Sequence, residues 1–184
     1  MIIIGFGYKK RVGKDTACKF LMSELRQKGV DIQRCSFADE IKTISYHKYK
    51  WGGLQDRLYY EDNEAKIEEI LPPIGKTPRQ IWDHEGFSAH EFCEKTWCEL
   101  TFAKMEGDVI IIPSVRRLVE IDYIKKYTGG KVIRIDRDVA PKSEHPVDHM
   151  LDSFTGWDEV IQNNGDLKDF YQTIKKLIPK LGVA

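Results

Sequence analysis

The sequence predicts an α/β fold of three layers, with helices covering both faces of a parallel sheet of about five strands. Two observations predict it. Short apolar runs alternate along the chain with segments whose apolar residues recur at helical spacing. The 184 residues also suit one domain and contain no internal repeat. Strands that alternate with helices pair in parallel through right-handed crossovers, and such sheets bind ligands at the carboxyl ends of their strands.

The first elements flank a basic loop. Residues 2–6 (IIIGF) form an apolar run typical of a strand buried on both faces. Residues 31–37 predict a second strand, and residues 38–49 predict a helix with Ile41 and Ile44 facing inward. Between the two strands, the apolar residues at helical spacing are Ala17, Phe20, Leu21 and Leu25.

The middle of the chain is less regular. Residues 50–75 are polar and contain several Tyr and Gly, which predicts a mobile insertion with one short helix around residues 64–70. Thr77 followed by Pro78 predicts the start of a helix. Residues 88–91 (SAHE) have the pattern of a capping box and predict another start. The helix after it is expected to bury one stripe of side chains: Ala89, Phe92, Cys93, Thr96, Trp97, Leu100 and Ala103.

The alternation returns in the second half. Residues 109–113 (VIIIP) predict a fully apolar strand and residues 115–127 a helix. Residues 131–136 predict a strand, residues 137–156 a Pro-, His- and Asp-rich excursion, and residues 159–162 the last strand. The chain then finishes as an amphipathic helix whose apolar face is Leu167, Phe170, Tyr171, Ile174, Leu177 and Ile178.

Charge and composition exclude several classes of protein. The 29 basic and 29 acidic side chains cancel, so we expect no polymeric nucleic acid as partner. No apolar run approaches the length that spans a membrane. The cysteines form no C-x-x-C pair, which favours reduced thiols and a cytoplasmic location.

A loop that suits phosphate binding follows the first strand. Residues 7–16 (GYKKRVGKDT) end in Gly-Lys-x-Thr and run directly into the predicted helix. A strand, such a loop and a helix are the parts of a P-loop, whose backbone N–H groups bind phosphate at the helix N-terminus. Lys14 would bridge the β- and γ-phosphates of a nucleotide, and the hydroxyl of Thr16 would reach phosphate or Mg²⁺.

Two positions depart from the P-loop pattern G-x-x-x-x-G-K-[ST]. Tyr8 stands where the first glycine is expected, with Gly7 one residue early. Asp15 stands where Ser or Thr is usual. The alternative interpretation is a plain turn with a solvated lysine, but the strand before the loop and the helix after it favour nucleotide binding.

Residues 10–16 (KRVGKDT) resemble the K-R-S-G-K-D-T loop of phage-type deoxynucleoside monophosphate kinases, which belong to the P-loop nucleoside monophosphate kinase family. Residues 36–42 (SFADEIK) resemble the family's F-A-x-P-[LI]-K segment. Residues 79–86 resemble its R-R-L-x-Q-x-x-G helix, and residues 111–120 resemble V-V-P-D-T-R-x-x-x-E. Near the end of the chain, residues 163–167 (NNGDL) resemble the T-N-D-G-S-L turn.

The resemblance covers the chain nearly end to end and is weakest over residues 50–75. It implies a lid within residues 137–156, where Asp148, His149 and Asp152 loosely match a D-x-H-x-x-E element. Ser114 departs from the family, because it replaces the strand-end Asp from which a carboxylate could organise the water around Mg²⁺. Asp15 or Asp39 would then take over part of that role.

The resemblance also implies roles on the ATP side. Lys14 would bind the β/γ-phosphates, and Arg137 at the base of the lid would close over ATP. Asn164 lies in the turn on which adenine would pack. Asp15 and Thr16 are the candidate ligands of Mg²⁺. The nucleotide itself would be contacted by Arg11, Gly13, Lys14, Asp15 and Thr16.

Other residues are implied on the acceptor side. Lys10 and Arg116 are candidates for contact with the acceptor phosphate and, together with Lys14, for catalysis. Arg79 is a further candidate for that phosphate. Each of these cations has a structural alternative, as an exposed side chain or a surface ion pair. The remaining candidates for substrate binding are Gly86, Trp97 and Glu120; core packing is the favoured alternative for Trp97, and an i,i+4 pair with Arg116 for Glu120.

The sequence therefore predicts a kinase that uses ATP and Mg²⁺ to convert deoxynucleoside monophosphates into diphosphates, with small-molecule nucleotides as partners and no membrane. Transfer would be direct and in line, without a covalent enzyme intermediate. One alternative is another small-molecule P-loop kinase, of phosphomevalonate or dephospho-coenzyme A type. A second is a nucleotide-binding module that has lost catalysis, which Tyr8 and Ser114 keep open. A homodimer is also left open.

Overall fold

The computed structural model describes residues 1–49, 57–61, 64–127, 129–140 and 144–183. The chain divides into two compact units. The sheet unit comprises Met1–Ser36 and Lys104–Ala184, and the helical unit comprises Phe37–Ala103.

One parallel sheet of five strands lies in the sheet unit and, together with its helices, confirms the predicted α/β fold. Its strands are β1 (Ile2–Gly7), β2 (Ile32–Arg34), β3 (Val109–Val115), β4 (Lys131–Asp136) and β5 (Glu159–Gln162). They lie in the order β2-β3-β1-β4-β5. β4 and β5 have the bounds expected from the sequence, and β1 is one residue longer.

Helices make up most of the remaining structure. Within the described ranges they are α1 (Lys14–Gln27), α2 (Phe37–Tyr49), α3 (Arg57–Glu61), α4 (Ala65–Glu68), α5 (Pro78–Phe92), α6 (Thr96–Phe102), α7 (Leu118–Lys125) and α8 (Leu167–Leu177). Short 3₁₀ turns follow at Pro146–His149 and Ile178–Leu181.

Helices cover both faces of the sheet. Ile4 of β1 packs in one apolar core with Leu21 of α1 and Ile174 of α8. The next residue, Gly5, faces the other side, because successive residues of a strand alternate. A Cβ at Gly5 would lie 2.6 Å from Cδ1 of Ile124 in α7. α7 therefore covers the face opposite α1 and α8, which gives three layers.

The strand order opens a crevice beside β1. The chain leaves β1 towards β2 on one side and leaves β4 towards β5 on the other. Neighbouring parallel strands whose connections depart in opposite directions leave a crevice at their carboxyl ends. β1 and β4 are such neighbours, so the loop after β1 and the segment after β4 meet at this crevice.

The helical unit has its own core. Tyr60 and Leu71 are fully buried there, together with Ile81 and Trp82. α4 matches the short helix predicted around residues 64–70, and α3 was not predicted. Residues 50–56 and 62–63 of the predicted insertion lie outside the described residues, and its mobility stays a prediction.

Two predicted strand ends differ from the structure. β2 ends at Arg34, and Phe37 already begins α2, so the predicted strand over residues 31–37 is too long. β3 continues to Val115, and α7 therefore begins at Leu118 instead of Val115. Phe37 was assigned to a strand although it lies in a helix, and Val115 to a helix although it lies in a strand, because short apolar runs do not distinguish the two.

The inward face of α2 was predicted correctly at Ile41, which packs against the helical core, and incorrectly at Ile44. Ile44 is 36% exposed, whereas Ser45 is fully buried. The helix begins at Phe37, and the positions that share its buried face are Phe37, Ile41 and Ser45, four residues apart. A small polar residue occupies a buried position here, and an apolar pattern cannot reveal that.

The predicted helix start at Ser88 is wrong. Thr77 and Gln80 form the capping box of α5, which runs through Ser88 to Phe92. Cys93 is extended, so the expected stripe is interrupted and Phe92 is 94% exposed. The buried residues of α6 are Trp97, Cys98 and Thr101.

None of the helices in the described ranges has both the length and the apolar character needed to cross a membrane.

Candidate functional site

The loop between β1 and α1 has the geometry of an anion-binding turn. Tyr8, Arg11 and Gly13 adopt positive φ angles of 90°, 60° and 104°. Gly13 is the N-cap of α1 and carries no side chain to bond the first N–H groups of the helix. Those N–H groups and the positive end of the helix dipole therefore face the loop, where an anion would satisfy them.

Lys14 folds back into this loop. The residue is only 6% exposed, and its Nζ donates to the carbonyl oxygens of Tyr8 and Lys9. Burial, together with the nearby positive charge of Arg116, lowers the pKa of Lys14 to about 8. A cation is thus held inside the loop at the carboxyl end of β1; its contact with phosphate stays a prediction.

Asn163 ties the loop to the other end of the sheet unit. Its Nδ2 donates to the carbonyl oxygen of Val12 at 2.8 Å, and the residue is 6% exposed. A Cβ on Gly13 would lie 2.5 Å from that Nδ2 atom. Gly13 is therefore required both for its positive φ and for the close approach of Asn163.

A pocket of about 180 Å³ opens beside the loop. Gly13, Thr16 and Arg137, all predicted on the ATP side, line it. The other lining residues come from the end of β5 and the start of α8: Asn163, Gly165, Asp166, Leu167 and Phe170. Pockets that enclose a whole ligand begin at about 300 Å³, so this one suits one part of a nucleotide.

Asn164 lies beside this pocket without lining it. Its Oδ1 accepts from the backbone N–H of Asp138 at 2.9 Å, and its Nδ2 donates to a carboxylate oxygen of Asp138 at 2.8 Å. Asp166 caps α8 by accepting from the N–H of Asp169. The structure thus brings Asn163 to the pocket, and sequence reasoning chose its neighbour because two adjacent asparagines give no signal of which one turns inward.

Arg116 lies at the carboxyl end of β3, as expected. Its Nη1 donates to Oδ1 of Asp148 at 2.9 Å. Glu120 does not pair with its guanidinium: Oε2 of Glu120 accepts from the backbone N–H groups of Arg116 and Arg117 at 2.6 and 3.1 Å. Burial raises the pKa of Glu120 to about 7. Glu120 therefore holds the backbone of Arg116, and its contact with a substrate stays a prediction.

Tyr8 has partners that explain a tyrosine in place of the expected glycine. The guanidinium of Arg134 lies 4.0 Å from the centroid of its ring, which is a cation–π contact. The ring of Trp157 meets it edge-on at 6.4 Å. Trp157 also lies over Gly7, where a Cβ would come within 2.6 Å of the indole. Sequence reasoning missed Arg134 and Trp157, since neither matches a motif.

The predicted metal ligands lie at the start of α1. Asp15 is exposed and its carboxylate is 3.4 Å from Nη2 of Arg34. Thr16 lines the pocket. Ser114 shares a hydrogen bond of 2.7 Å with Ser36, between hydroxyls at the ends of β3 and β2. Every one of these groups is an oxygen donor, the type that Mg²⁺ prefers, so the donor set fits the metal that the resemblance implies.

The remaining predicted residues lie on the loop after β1 or in the helical unit. Lys10 and Arg11 are exposed on the loop. In the helical unit, Arg79 pairs with Asp83 at 2.9 Å. The indole of Trp97 is buried and donates to the carbonyl oxygen of Gly86 at 3.2 Å, which is the geometry of a core residue. Contacts of these residues with a substrate stay predictions.

Two known proteins align with this chain over nearly its full length. No protein-family model matches it. A protein of Acanthamoeba polyphaga mimivirus described as "Putative deoxynucleotide monophosphate kinase" is 28% identical over 193 residues, which cover 95% of this chain and 94% of that protein. The crystal structure of TT1252 from Thermus thermophilus aligns with a TM-score of 0.45 and 14% identity, over 98% of this chain and 97% of that one. The similarity to the viral protein therefore spans both units.

Proposed function

We propose that this chain transfers the γ-phosphate of ATP to deoxynucleoside monophosphates. The observation that carries the proposal is the buried cation of Lys14, held inside a loop of helix-terminal N–H groups beside a pocket. An anion of high charge is the ligand that such a site favours. The name given to the viral relative supports the class of acceptor.

Each side chain has a role in this reaction. Lys14 binds the β- and γ-phosphates, and an approaching phosphate restores the proton affinity that burial removes from it. Arg137 and the turn at Asn163 enclose the other end of ATP, since both line the pocket. Lys10 and Arg116 meet the transferring group and the acceptor phosphate. Several cations that converge on one point stabilise the charge that spreads over the phosphoryl group in the transition state.

Magnesium belongs to the proposal as the companion of ATP. Thr16 and Asp15 would hold it together with the phosphates of the nucleotide. Bound there, the metal would neutralise charge on the β- and γ-oxygens. Because Ser114 offers a hydroxyl bonded to Ser36 where a carboxylate is usual, this chain supplies less negative charge to the metal at the end of β3.

A second candidate function rests on Tyr8 and Ser114. The ring of Tyr8 fills the place of the expected glycine and is held by Arg134 and Trp157. A loop fixed in this way could bind ATP without transferring phosphate. That candidate predicts ATP binding and no turnover with any acceptor.

The test is ADP release from ATP and Mg²⁺ with a panel of acceptors. The panel holds the four deoxynucleoside monophosphates, the four ribonucleoside monophosphates, phosphomevalonate and dephospho-coenzyme A. Lys14→Met is the blank, and Lys19→Met, an exposed lysine of α1, is the matched control. We expect turnover with at least one deoxynucleotide, retained in the control and lost in the blank. Turnover with only one of the last two acceptors would overturn the proposal, and so would ATP binding without turnover.

A further inference from the structure

Asp148 brings a buried carboxylate against Arg116, one of the cations proposed to bind phosphate. It lies in the 3₁₀ turn Pro146–His149, in the segment between β4 and β5. Its side chain is 0% exposed, and its Oδ1 accepts the hydrogen bond from Arg116. Its Oδ2 is buried and has no hydrogen-bond partner in the part of the chain that the structure describes.

Charge explains why a carboxylate is present. The positive charge of Arg116 lowers the pKa of Lys14, whereas the negative charge of Asp148 raises it. Because Asp148 lies 2.9 Å from Nη1 of Arg116, its negative charge offsets part of the repulsion between Arg116 and Lys14. Burying an unpaired carboxylate is costly, so the position of Asp148 depends on these cations.

The contact also leaves the guanidinium of Arg116 partly available. Among the described residues it donates one side-chain hydrogen bond, from Nη1 to Asp148, and 27% of the side chain is exposed. Guanidinium has five N–H donors in a rigid plane, and two of them on one edge match two oxygens of a phosphate. Glu120 fixes the backbone of Arg116, and Asp148 fixes the guanidinium at the end of its side chain.

We propose that Asp148 is a positioning residue, which orients the guanidinium of Arg116 for the phosphate of the acceptor nucleotide. The inference rests on the proposed function. Because Asp148 belongs to the segment between β4 and β5, docking of the turn at residues 146–149 and binding of the acceptor phosphate then favour each other.

The contrary interpretation is that Asp148 occupies the place of the acceptor phosphate and is expelled when substrate binds. Two observations favour positioning. The contact is through one oxygen only, which leaves an edge of the guanidinium for phosphate. The carboxylate is also completely buried, so its removal from the cluster would require the turn to open.

The test compares Asp148→Ala and Asp148→Asn with Glu144→Gln, an exposed acidic residue of the same segment, as the matched control. Monophosphate affinity is measured by calorimetry, and KM and kcat are measured for each substrate. We expect Asp148→Ala to weaken monophosphate affinity and raise its KM by about 10- to 100-fold, the range found for residues that orient the ligands of a metal. The KM for ATP should change by less than about 3-fold. Asp148→Asn keeps an acceptor oxygen for Nη1 and should recover part of the loss.

A double-mutant cycle gives the sharpest readout. If Asp148 acts through Arg116, then Asp148→Asn should not weaken monophosphate affinity further in an Arg116→Ala background. Additive losses would overturn the proposal, because a purely structural effect does not depend on Arg116. Unchanged or tighter monophosphate binding by Asp148→Asn or Asp148→Ala would also overturn it, and tighter binding would establish expulsion.

Folding and the proposed function are controlled separately. Thermal unfolding shows whether each variant is folded. If Asp148→Ala is unfolded, Asp148→Asn and the double-mutant cycle still test whether Asp148 positions Arg116. If the wild-type chain binds no monophosphate at all, both the proposed function and this inference fail. If wild type binds but the Asp148 variants bind equally well, only this inference fails.

Discussion

Lys14 is costly to the folded protein in the absence of an anion. Its pKa is about 8 instead of 10.5, which corresponds to up to about 3 kcal/mol of destabilisation at neutral pH. Sites built for function commonly carry such a cost, because a charge that awaits a ligand is poorly solvated until the ligand binds. A lysine in a plain solvated turn would cause no such destabilisation.

Replacing this charge should therefore stabilise the empty protein. We expect Lys14→Met to raise the free energy of unfolding at pH 7 by about 1–3 kcal/mol, with the loss of two hydrogen bonds to loop carbonyls reducing the gain. Above pH 8 the unfolded state binds more protons than the folded wild type, so wild-type stability rises with pH. The gain should shrink between pH 8 and 10.5.

Urea unfolding at pH 7 and pH 10 measures this, with Lys19→Met as the exposed control. A variant that is less stable than wild type at pH 7 would show that Lys14 is a structural residue of the loop. Equal gains at both pH values would show that its charge is not the cause.

The two adjacent asparagines should behave differently. Asn163→Ala removes a buried donor and leaves the carbonyl oxygen of Val12 unpaired, which costs about 1–3 kcal/mol and loosens the loop. Asn164→Ala removes exposed contacts with Asp138 and should cost less than about 1 kcal/mol.

Unfolding free energies and ATP affinity by calorimetry separate them. We expect Asn163→Ala to weaken ATP binding by more than Asn164→Ala does. The reverse order would restore Asn164 as the nucleotide-binding residue that the family resemblance implies.

At the level of elements, two sequence signals for a helix start can be compared directly. Thr77 accepts from the N–H of Gln80 and caps α5, whereas Ser88 has the same apparent pattern inside that helix. Thr77→Ala should lower the free energy of unfolding by about 1 kcal/mol. Ser88→Ala replaces an exposed interior serine by the best helix former and should be neutral or slightly stabilising.

Urea unfolding of the two variants checks this. A loss in Ser88→Ala as large as that in Thr77→Ala would mean that a helix does begin at Ser88.

Elements with a strong local pattern could be predicted, and those fixed by distant contacts could not. Local sequence is enough to recognise the apolar runs of β1, β3, β4 and β5 and the capping residue Thr77. α2 shows the limit, since Ser45 is buried in a position that its polarity argues against. The break after Phe92 also has no local marker, so the end of α5 and all of α6 were expected to form one helix with a single buried stripe.

The same division holds for the site. The phosphate loop could be predicted because a strand, a glycine and a lysine lie in sequence order. Asn163, Arg134 and Asp148 could not, because each meets the loop or Arg116 across a long stretch of chain. They act through a hydrogen bond, a cation–π contact and an ion pair, none of which leaves a periodic trace in the sequence.

At the scale of the whole molecule, the sheet gathers these parts. The loop after β1, Arg116 after β3 and Arg137 after β4 all lie at the carboxyl ends of parallel strands, where open α/β sheets bind ligands. The segment from β4 to β5 adds Asp148 and Trp157 to that edge. The sheet unit therefore holds the residues proposed to bind ATP and to receive the acceptor phosphate.

The measurement that tests the central claim most directly is the fate of a labelled γ-phosphate. ATP carrying the label is incubated with the protein, Mg²⁺ and each deoxynucleoside monophosphate, and the products are separated. We expect the label in the β-phosphate of a deoxynucleoside diphosphate with wild type, and no transfer with Lys14→Met. Label that appears only as inorganic phosphate, or that stays in ATP, would contradict the account.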